Sequence, residues 1–575
     1  MYKTRSRRIV ILHIGALRVQ ETLLRCNGCH LDTVYCSEEL ARLVPPRCTF
    51  GYDVLVYVGK ALFQRYRTSE EIRGELAAMN VPISASEIHH LGRIFIIYLA
   101  TAHGQSAPGI RQAMQHNGGY IFHLDGTCEG ASPMLMAGID SITEIVLGSL
   151  KVPSERAQYI IPFLQEIQKR YGDPVAVVRD MGKGIGNAVK EIFPQAKDFI
   201  CHFHFLRDIG KDLLGDDYDT IRKRLRKYGV RAKLGREARS LKTTFEQSPN
   251  LLDALSLIAK SNAVPDDLLE QTPAVCAYAL IQWALAGLHN GDGYGFPFDR
   301  PHLEFAKRLQ VLQQKLQALK NLDLRGQWRD NNPFRKTLAA IYQLLDDQPL
   351  RKAITQIKTK IQVFDALRDA MRLAPKAGDQ GLNDSGMQED IKTIKTSVTR
   401  FRHWITTHPV YANNSDYKKL LEQLDRYWEK LFADPILVNT PTGPVEIQPQ
   451  RTNNIMEHFF RDEKQGNRRR TGNIHMNKVI QTMLADTPLV KNLDNPKYMR
   501  ILLKDHKNLE ALFADIDHNT VRNQLLQAQN RVDKVPIKIQ KLIAEPEFPE
   551  TIQVNFAKLY QNLKNSRDSN RSLGQ

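Results

Sequence analysis

The 575-residue sequence has no apolar run near the roughly 18–20 residues needed to cross a bilayer. Its best stretch, Ile94 to Ala100, is far shorter. Cysteine is scarce: seven in the chain, an odd number, four of them before residue 50. That argues against a disulfide scaffold and fits a reducing, intracellular setting. Acid is in deficit, 63 Asp and Glu against 80 Lys and Arg, which leaves +17 and a pI near 9.4. Such a surplus points to a polyanionic partner, nucleic acid before an acidic membrane surface. The 42% hydrophobic and 25% charged fractions exclude a wholly disordered chain, a collagen-like fibre and a coiled-coil rod. Lys3, Arg5, Arg7 and Arg8 before Ile9–Leu12 imitate a signal peptide, but His13 breaks the run and no cleavage pattern follows Arg18. A first strand is the expectation there.

Cys26, Cys29, Cys36 and Cys48 form the one cysteine cluster. Cys26-Asn-Gly-Cys29 has the tight turn that lets two thiolates reach a tetrahedral Zn²⁺, although Cys36 and Cys48 form no second C-x-x-C. Small buried cysteines around a metal-free strand pair are the competing reading. Two helices follow, one capped at Thr68 or Ser69 and ending at Met79, the next capped at Ser84 or Ser86 and ending near Leu99. Ser84-Ala-Ser-Glu87 reads as a capping box. The pair is either a helix-turn-helix that would place its second helix in a major groove or an ordinary helical hairpin.

From Tyr120 the pattern alternates: a strand to Thr127, a hairpin over 134–139 and 144–150, a helix from Ser154 to Tyr171 and a strand Val175–Asp180. A helix from about Gly182 and a strand or junction at Asp198–His204 complete it. This order predicts an α/β unit with a mixed sheet. Residues 205–435 read as helical, with a polar linker at Pro375–Gln388 and nine Arg or Lys between 221 and 240. A short hairpin and a helix from Asn454 follow.

Asp125 and Asp180 each end an apolar strand and precede a glycine by one or two residues. Carboxylates at adjacent strand ends can hold a pair of Mg²⁺ ions for in-line attack at phosphorus. Taken singly, each could equally cap the turn that follows. Glu457 is a third candidate, with a capping box from Asn454 as its structural alternative. Yet Glu457, Arg461, Lys464 and Arg468 share one helical face, a poor core face and a good phosphate-facing one, which Arg469 and Arg470 extend. Asp462 and Glu463 are rotated off that face.

Asp125, Asp180 and Glu457, with Lys464 seven residues beyond the last, resemble the DDE triad of RNase H-like transposases, the Mutator-like elements and related bacterial insertion-sequence transposases fitting best. Cys201-His-Phe-His204 is similar to the C-x-x-H after their second aspartate. The helical span between Asp180 and Glu457 is similar to their insertion domain, and Asn453-Asn454 to their third-acid motif. The resemblance covers roughly residues 120–480.

It implies an α/β, RNase H-like fold in which the three acids bind two Mg²⁺ (or Mn²⁺) ions. Water would cut a strand at the element's end and the freed 3′-hydroxyl would attack target DNA. It also implies DNA contacts by Arg461, Lys464, Arg468, Arg469 and Arg470. Cys201 and His204 are implied to position DNA or to be a buried cysteine and a packed histidine. Trp283 would stack on a displaced base, with core packing the favoured alternative. The implied organisation is a zinc-binding region over 1–60, a helix-turn-helix-like region over 61–115 and the first catalytic part over 116–215. An all-helical insertion over 216–435, the end of the catalytic unit over 436–485 and a helical region over 486–575 follow. The implied partners are double-stranded transposon-end and target DNA and further copies of the chain, with no membrane, in a bacterial nucleoid-associated setting. A DNA-binding regulator derived from a transposase, and a nuclease without strand transfer, are the alternative functions.

Overall fold

The computed structural model describes residues 3–25, 34–246, 250–260, 265, 272–320, 333–373, 388–432, 434–530 and 547–572. The chain opens with an antiparallel sheet of β1 (Lys3–Ile11), β2 (Gly15–Arg25) and β3 (Val34–Tyr35). The signal-like start is therefore a strand, as the broken apolar run predicts. Five helices follow: α1 (Glu38–Leu43), α2 (Tyr52–Phe63), α3 (Ser69–Ala78), α4 (Ala85–Gln105) and α5 (Ala107–His116).

Helix α3 carries a complete capping box between Thr68 and Glu71. In α4, Ser84 accepts from the Glu87 N–H, so the expected start is met, but the helix continues six residues past Leu99. The second helix of this pair packs much of its length into the core. Every residue from Ile94 to Leu99 is buried, and the exposed positions, Ser86, His89, His90 and Gln105, lie toward its two ends.

The central sheet holds five strands in the order β6 (Ile145–Val152), β5 (Met134–Asp140), β4 (Ile121–Thr127), β7 (Ala176–Arg179), β8 (Lys197–Ile200). The first three are antiparallel, and β7 and β8 continue parallel to β4. Both parallel connections pass through helices, α6 (Ala157–Tyr171) and α7 (Lys183–Ile192). Because β4 and β7 are covered on both faces, they read as unbroken apolar runs rather than alternating ones.

Phe122, Leu124 and Val177 point into a core shared with α2, α4 and α6. Ile121, Ala176 and Val178 point to the opposite face, which the hairpin β9 (Ile436–Thr440)–β10 (Gly443–Ile447) covers.

Residues 202–431 form a helical unit around a second core. Its helices are α8 (His202–Lys227), α9 (Val230–Glu246), α10 (Asn250–Ala259), α11 (Thr272–Ala286), α12 (Pro301–Lys320) and α13 (Pro333–Leu345). Helices α14 (Gln348–Met371), α15 (Gln388–Thr407), α16 (Pro409–Ala412), α17 (Ser415–Arg426) and α18 (Trp428–Leu431) complete it. All but the last residue of the expected linker Pro375–Gln388 lies outside the described residues.

The segment Gly293–Arg300 fastens α8 to this unit. Phe298 stacks on Phe203, Phe296 on Tyr218, and Pro297 fills the space a side chain would need at Gly210. Helix α19 (Asn454–Thr471) then returns to the sheet. The helices after it, α20 (Asn477–Thr482), α21 (Pro496–Leu503), α22 (Leu509–Asp515) and α23 (His518–Asn530), bury their apolar sides in the same core as α2 and α4. His103 of α4 is hydrogen-bonded to Tyr498 at 3.0 Å and to Tyr171 at 2.9 Å, tying three distant segments together. No helix among the described residues is long and apolar enough to cross a membrane.

Candidate active site

The parallel register pairs Ile121 with Ala176, His123 with Val178 and Leu124 with Arg179. One further step sets Asp125 beside Asp180. Side chains alternate along a strand, so both acids share the face of Ile121, His123, Ala176 and Val178. Asp125 accepts from the Gly126 N–H at 2.8 Å, and Asp180 from the Gly182 N–H at 2.9 Å. Asp180, one residue past β7, thus holds the turn after it as expected, whereas Asp125 lies inside β4, which runs on through Gly126 to Thr127 rather than ending at the acid.

Glu457 enters from α19. The capping box from Asn454 does not form, because the helix is capped one residue earlier, by Asn453, whose side chain is engaged elsewhere. Asn453 meets His123 Nδ1 with its Oδ1 at 2.9 Å and donates from Nδ2 to the Leu124 carbonyl at 3.3 Å, while its N–H donates to Cys201 Sγ at 3.2 Å. This side chain seats the first turn of α19 on β4. Upstream, the Arg451 carbonyl accepts from the His202 N–H at 2.9 Å, and its guanidinium donates to the Met371 and Arg372 carbonyls. The start of α19 is therefore wedged between the sheet and the helical unit.

The electrostatics are those of acids gathered under burial. Asp125 is 7% exposed; burial first, then the neighbouring Asp180, push its carboxyl up to about 7, with Glu457 and Glu155 adding to the effect. Burial also raises Asp180 and Glu457, against the pull of Arg207, which acts on both. Glu155, between β6 and α6, is a fourth carboxylate in this field, raised by burial and by Asp180. Its Oε2 and Asp180 Oδ1 lie 3.2 and 3.0 Å from where a side chain would begin at Gly182. Among the described residues, none of these four acids has an ion-pair partner. Arg179 is turned away, held by Asp198 through two 2.7 Å contacts while donating to the Asp180 carbonyl.

Mutually repelling, unpaired carboxylates are hard oxygen donors of the kind Mg²⁺ takes. As they stand, no three His, Cys, Asp or Glu side chains among the described residues are close enough together to hold one metal ion. The donor chemistry fits a divalent ion, and the acids would have to draw closer to share it.

Strand β8 ends at Ile200, Cys201 caps α8 and His204 lies in its first turn. Cys201 is buried, its thiol pushed up to about 12, and it accepts from the backbone N–H groups of Asn453 and His204. It acts as a buried hub between α8 and α19. His204 is lowered to about 4 by burial and by Arg207. Trp283, for which core packing was favoured, is instead 41% exposed with Arg308 over its ring at 5.1 Å. It sits on the outer side of α11, where the near-uniform apolarity of that helix gives no sign of which face is buried.

Arg461, Lys464, Arg468 and Arg469 are exposed along α19. Arg470 is turned inward over Phe63, next to Glu463, whose burial pushes it up to about 7. Asp462 pairs with Lys491 at 3.0 Å, off the exposed strip as expected. Cys26 and Cys29 lie outside the described residues; Cys36 is exposed, and Cys48 packs beside Ile9, Leu40 and Val44, which raises its thiol.

Sequence reasoning missed Glu155 and Arg207, whose roles depend on contacts no spacing encodes. Asn453 was in view as part of the Asn-Asn pair, but its clamp on His123 was not.

The resemblance read from the motifs has independent support. A family model described as Transposase, Mutator family, matches residues 138–250. The matched segment runs from the end of β5 into α10 and contains Asp180, Cys201 and His204. This segment is similar to transposases of that family. No curated protein matches the chain.

Proposed function

We propose that this chain is a DNA transposase of the DDE type on an RNase H-like fold, which cuts strands at the ends of a mobile element and joins them to target DNA. The observation that carries this reading is that Asp125 on β4 and Asp180 just past the neighbouring β7 share one electrostatic field with Glu457, 277 residues beyond Asp180, around a segment matching the Mutator-family model. The five-stranded sheet, antiparallel on one side of β4 and parallel on the other, supports the RNase H-like assignment.

Asp125, Asp180 and Glu457 would hold two Mg²⁺ or Mn²⁺ ions, which supply activation of water or a 3′-hydroxyl and neutralise charge at the scissile phosphate. The protein's own part is placement. The sheet fixes the two aspartates, and the Asn453 clamp fixes the turn that carries Glu457. Arg461, Lys464, Arg468 and Arg469 lie along the same helix as a strip for backbone phosphates. Two DNA ends must be held together, so an assembly of several copies belongs to the proposal. A zinc ion on Cys26, Cys29, Cys36 and Cys48 is a separate, minor part of it.

The test is a Mg²⁺-dependent cleavage and joining assay on DNA bearing the element's terminal inverted repeats. Both activities should appear and should vanish in Asp180→Asn. Joining that survives this change would refute the triad. Binding without cutting would favour a regulator, and cutting without joining a nuclease.

A further inference from the structure

A large hollow lies away from the carboxylates. It lies in the helical unit where α8 turns into α9, encloses about 920 Å³, and is walled by Arg222, Lys223, Arg226, Arg231, Arg236 and Arg239. No acid lines it. Of the six cations, Arg222 alone has an ion-pair partner among the described residues, Asp219 at 3.0 Å on its own helix.

The local sequence explains the arrangement. Arg222 and Arg226 are one turn apart on α8, and Arg231, Gly235 and Arg239 share a face of α9, with Arg236 beside them. Gly229, with φ +60°, makes the left-handed turn that folds these faces toward each other. At Gly229 and Gly235 no atom lies within 4 Å of where a side chain would begin, so the hollow stays open at both positions. His302 closes one side, its Nδ1 hydrogen-bonded to the Tyr218 hydroxyl at 3.1 Å. Exposed guanidinium groups that face a common hollow, all but Arg222 without an ion-pair partner among the described residues, form a receptor for anions. Their spread along two helices suits a row of phosphates better than one small anion.

We propose that this hollow is a second DNA-binding site that grips the phosphodiester backbone of duplex DNA away from the reacting phosphate. The proposal rests on the reading that the chain acts on DNA. Helix α8 joins the two places: it begins beside the carboxylates at Cys201, and Arg222 lies 20 residues beyond His202. At 1.5 Å per residue that is about 30 Å, or roughly nine base pairs at 3.4 Å each. A duplex leaving the acids along α8 therefore reaches the hollow within one helical turn, and the two sites share one DNA molecule.

The test uses the full chain and a fluorescent 30-base-pair duplex of arbitrary sequence, because phosphate contacts carry no sequence information. Affinity is measured across a salt series for wild type, Arg226→Gln/Arg231→Gln/Arg236→Gln, and Gly235→Glu. The last places a carboxylate in open space on a helix, where replacing glycine favours the helix. The triple variant should lower the slope of log K against log salt by about 2.7, near 0.9 per lost phosphate contact, and both variants should bind at least tenfold more weakly.

Unchanged slope and affinity in both variants, with unaltered melting, would overturn the proposal. So would competition at the hollow by inorganic triphosphate with duplex binding left intact, which would mark it as a small-anion site. Failure of the triad assignment is read from cleavage and joining by Asp180→Asn, and failure of the hollow from the salt slope and affinity of the hollow variants, so the two are read separately.

Discussion

Asp125→Asn should make the protein more stable while removing strand cleavage. The native carboxyl is buried, and its titration is pushed from 3.8 up to about 7 by burial and by Asp180. A raised folded value means the group's contribution is fully present below pH 3.8 and is lost as pH rises through 7. Three units at about 1.4 kcal/mol each set an upper figure near 4 kcal/mol for holding the ionised form at pH 8. Asparagine is isosteric, its Oδ1 can keep the Gly126 N–H bond, and it carries no charge for Asp180 to repel.

The expected gain is about 2–4 kcal/mol at pH 8 without divalent ions, growing between about pH 4 and 7 and level above. Trp283, Trp404 and Trp428 lie in the helical unit, so their fluorescence is a poor reporter of β4. Amide hydrogen exchange of β4 is the suitable assay, with variant and wild type compared at one pH in EDTA. The variant should exchange roughly 30- to 1,000-fold more slowly if opening follows that free energy. Mg²⁺ should slow exchange in wild type and have much less effect in the variant. Equal or faster exchange in the variant at pH 8 would refute the account of Asp125 as a charge held against burial and repulsion.

Two further outcomes follow from the packing around the site. Asn453→Ala removes the partner of His123 and of the Leu124 carbonyl, each orphaned group costing about 1–3 kcal/mol. The variant should melt earlier and cut DNA far more slowly while binding duplex as wild type does; normal cutting would show that the clamp does not place Glu457. Buried His103, His123 and His202 are held neutral, lowered to about 4, 4 and 3 mainly by burial. Their depressed values mean stability is lost as pH falls below about 6.5, by up to about 1.4 kcal/mol per unit for each. His103→Gln should make the unfolding midpoint less dependent on pH between 6.5 and 4.5, and an unchanged dependence would refute this.

Much of the fold was legible because its signals are local. The caps at Thr68 and Ser84, the apolar runs of β4 and β7 and the hairpin around residues 140–144 each depend on a few adjacent residues. The candidate acids were legible for the same reason, since an apolar run that meets Asp and then a glycine announces itself. Between a groove-reading helix and a hairpin helix α4 stayed open, because capping and length are the same for a core helix and a surface one. The run Ile94–Leu99 was the available signal, an apolar stretch with no polar face. Trp283 failed in the opposite direction: α11 is so evenly apolar that no period marks its buried side.

By itself the sequence determined the elements, their order, the candidate acids and the excess of positive charge, because these are set by neighbours along the chain. The tertiary structure alone decided which charges meet. Parallel register put Asp125 beside Asp180, the Asn453 clamp brought α19 to them, and a left-handed turn at Gly229 folded scattered arginines into one hollow. Electrostatic energy depends on distance through space, and that distance exists only once the chain has closed.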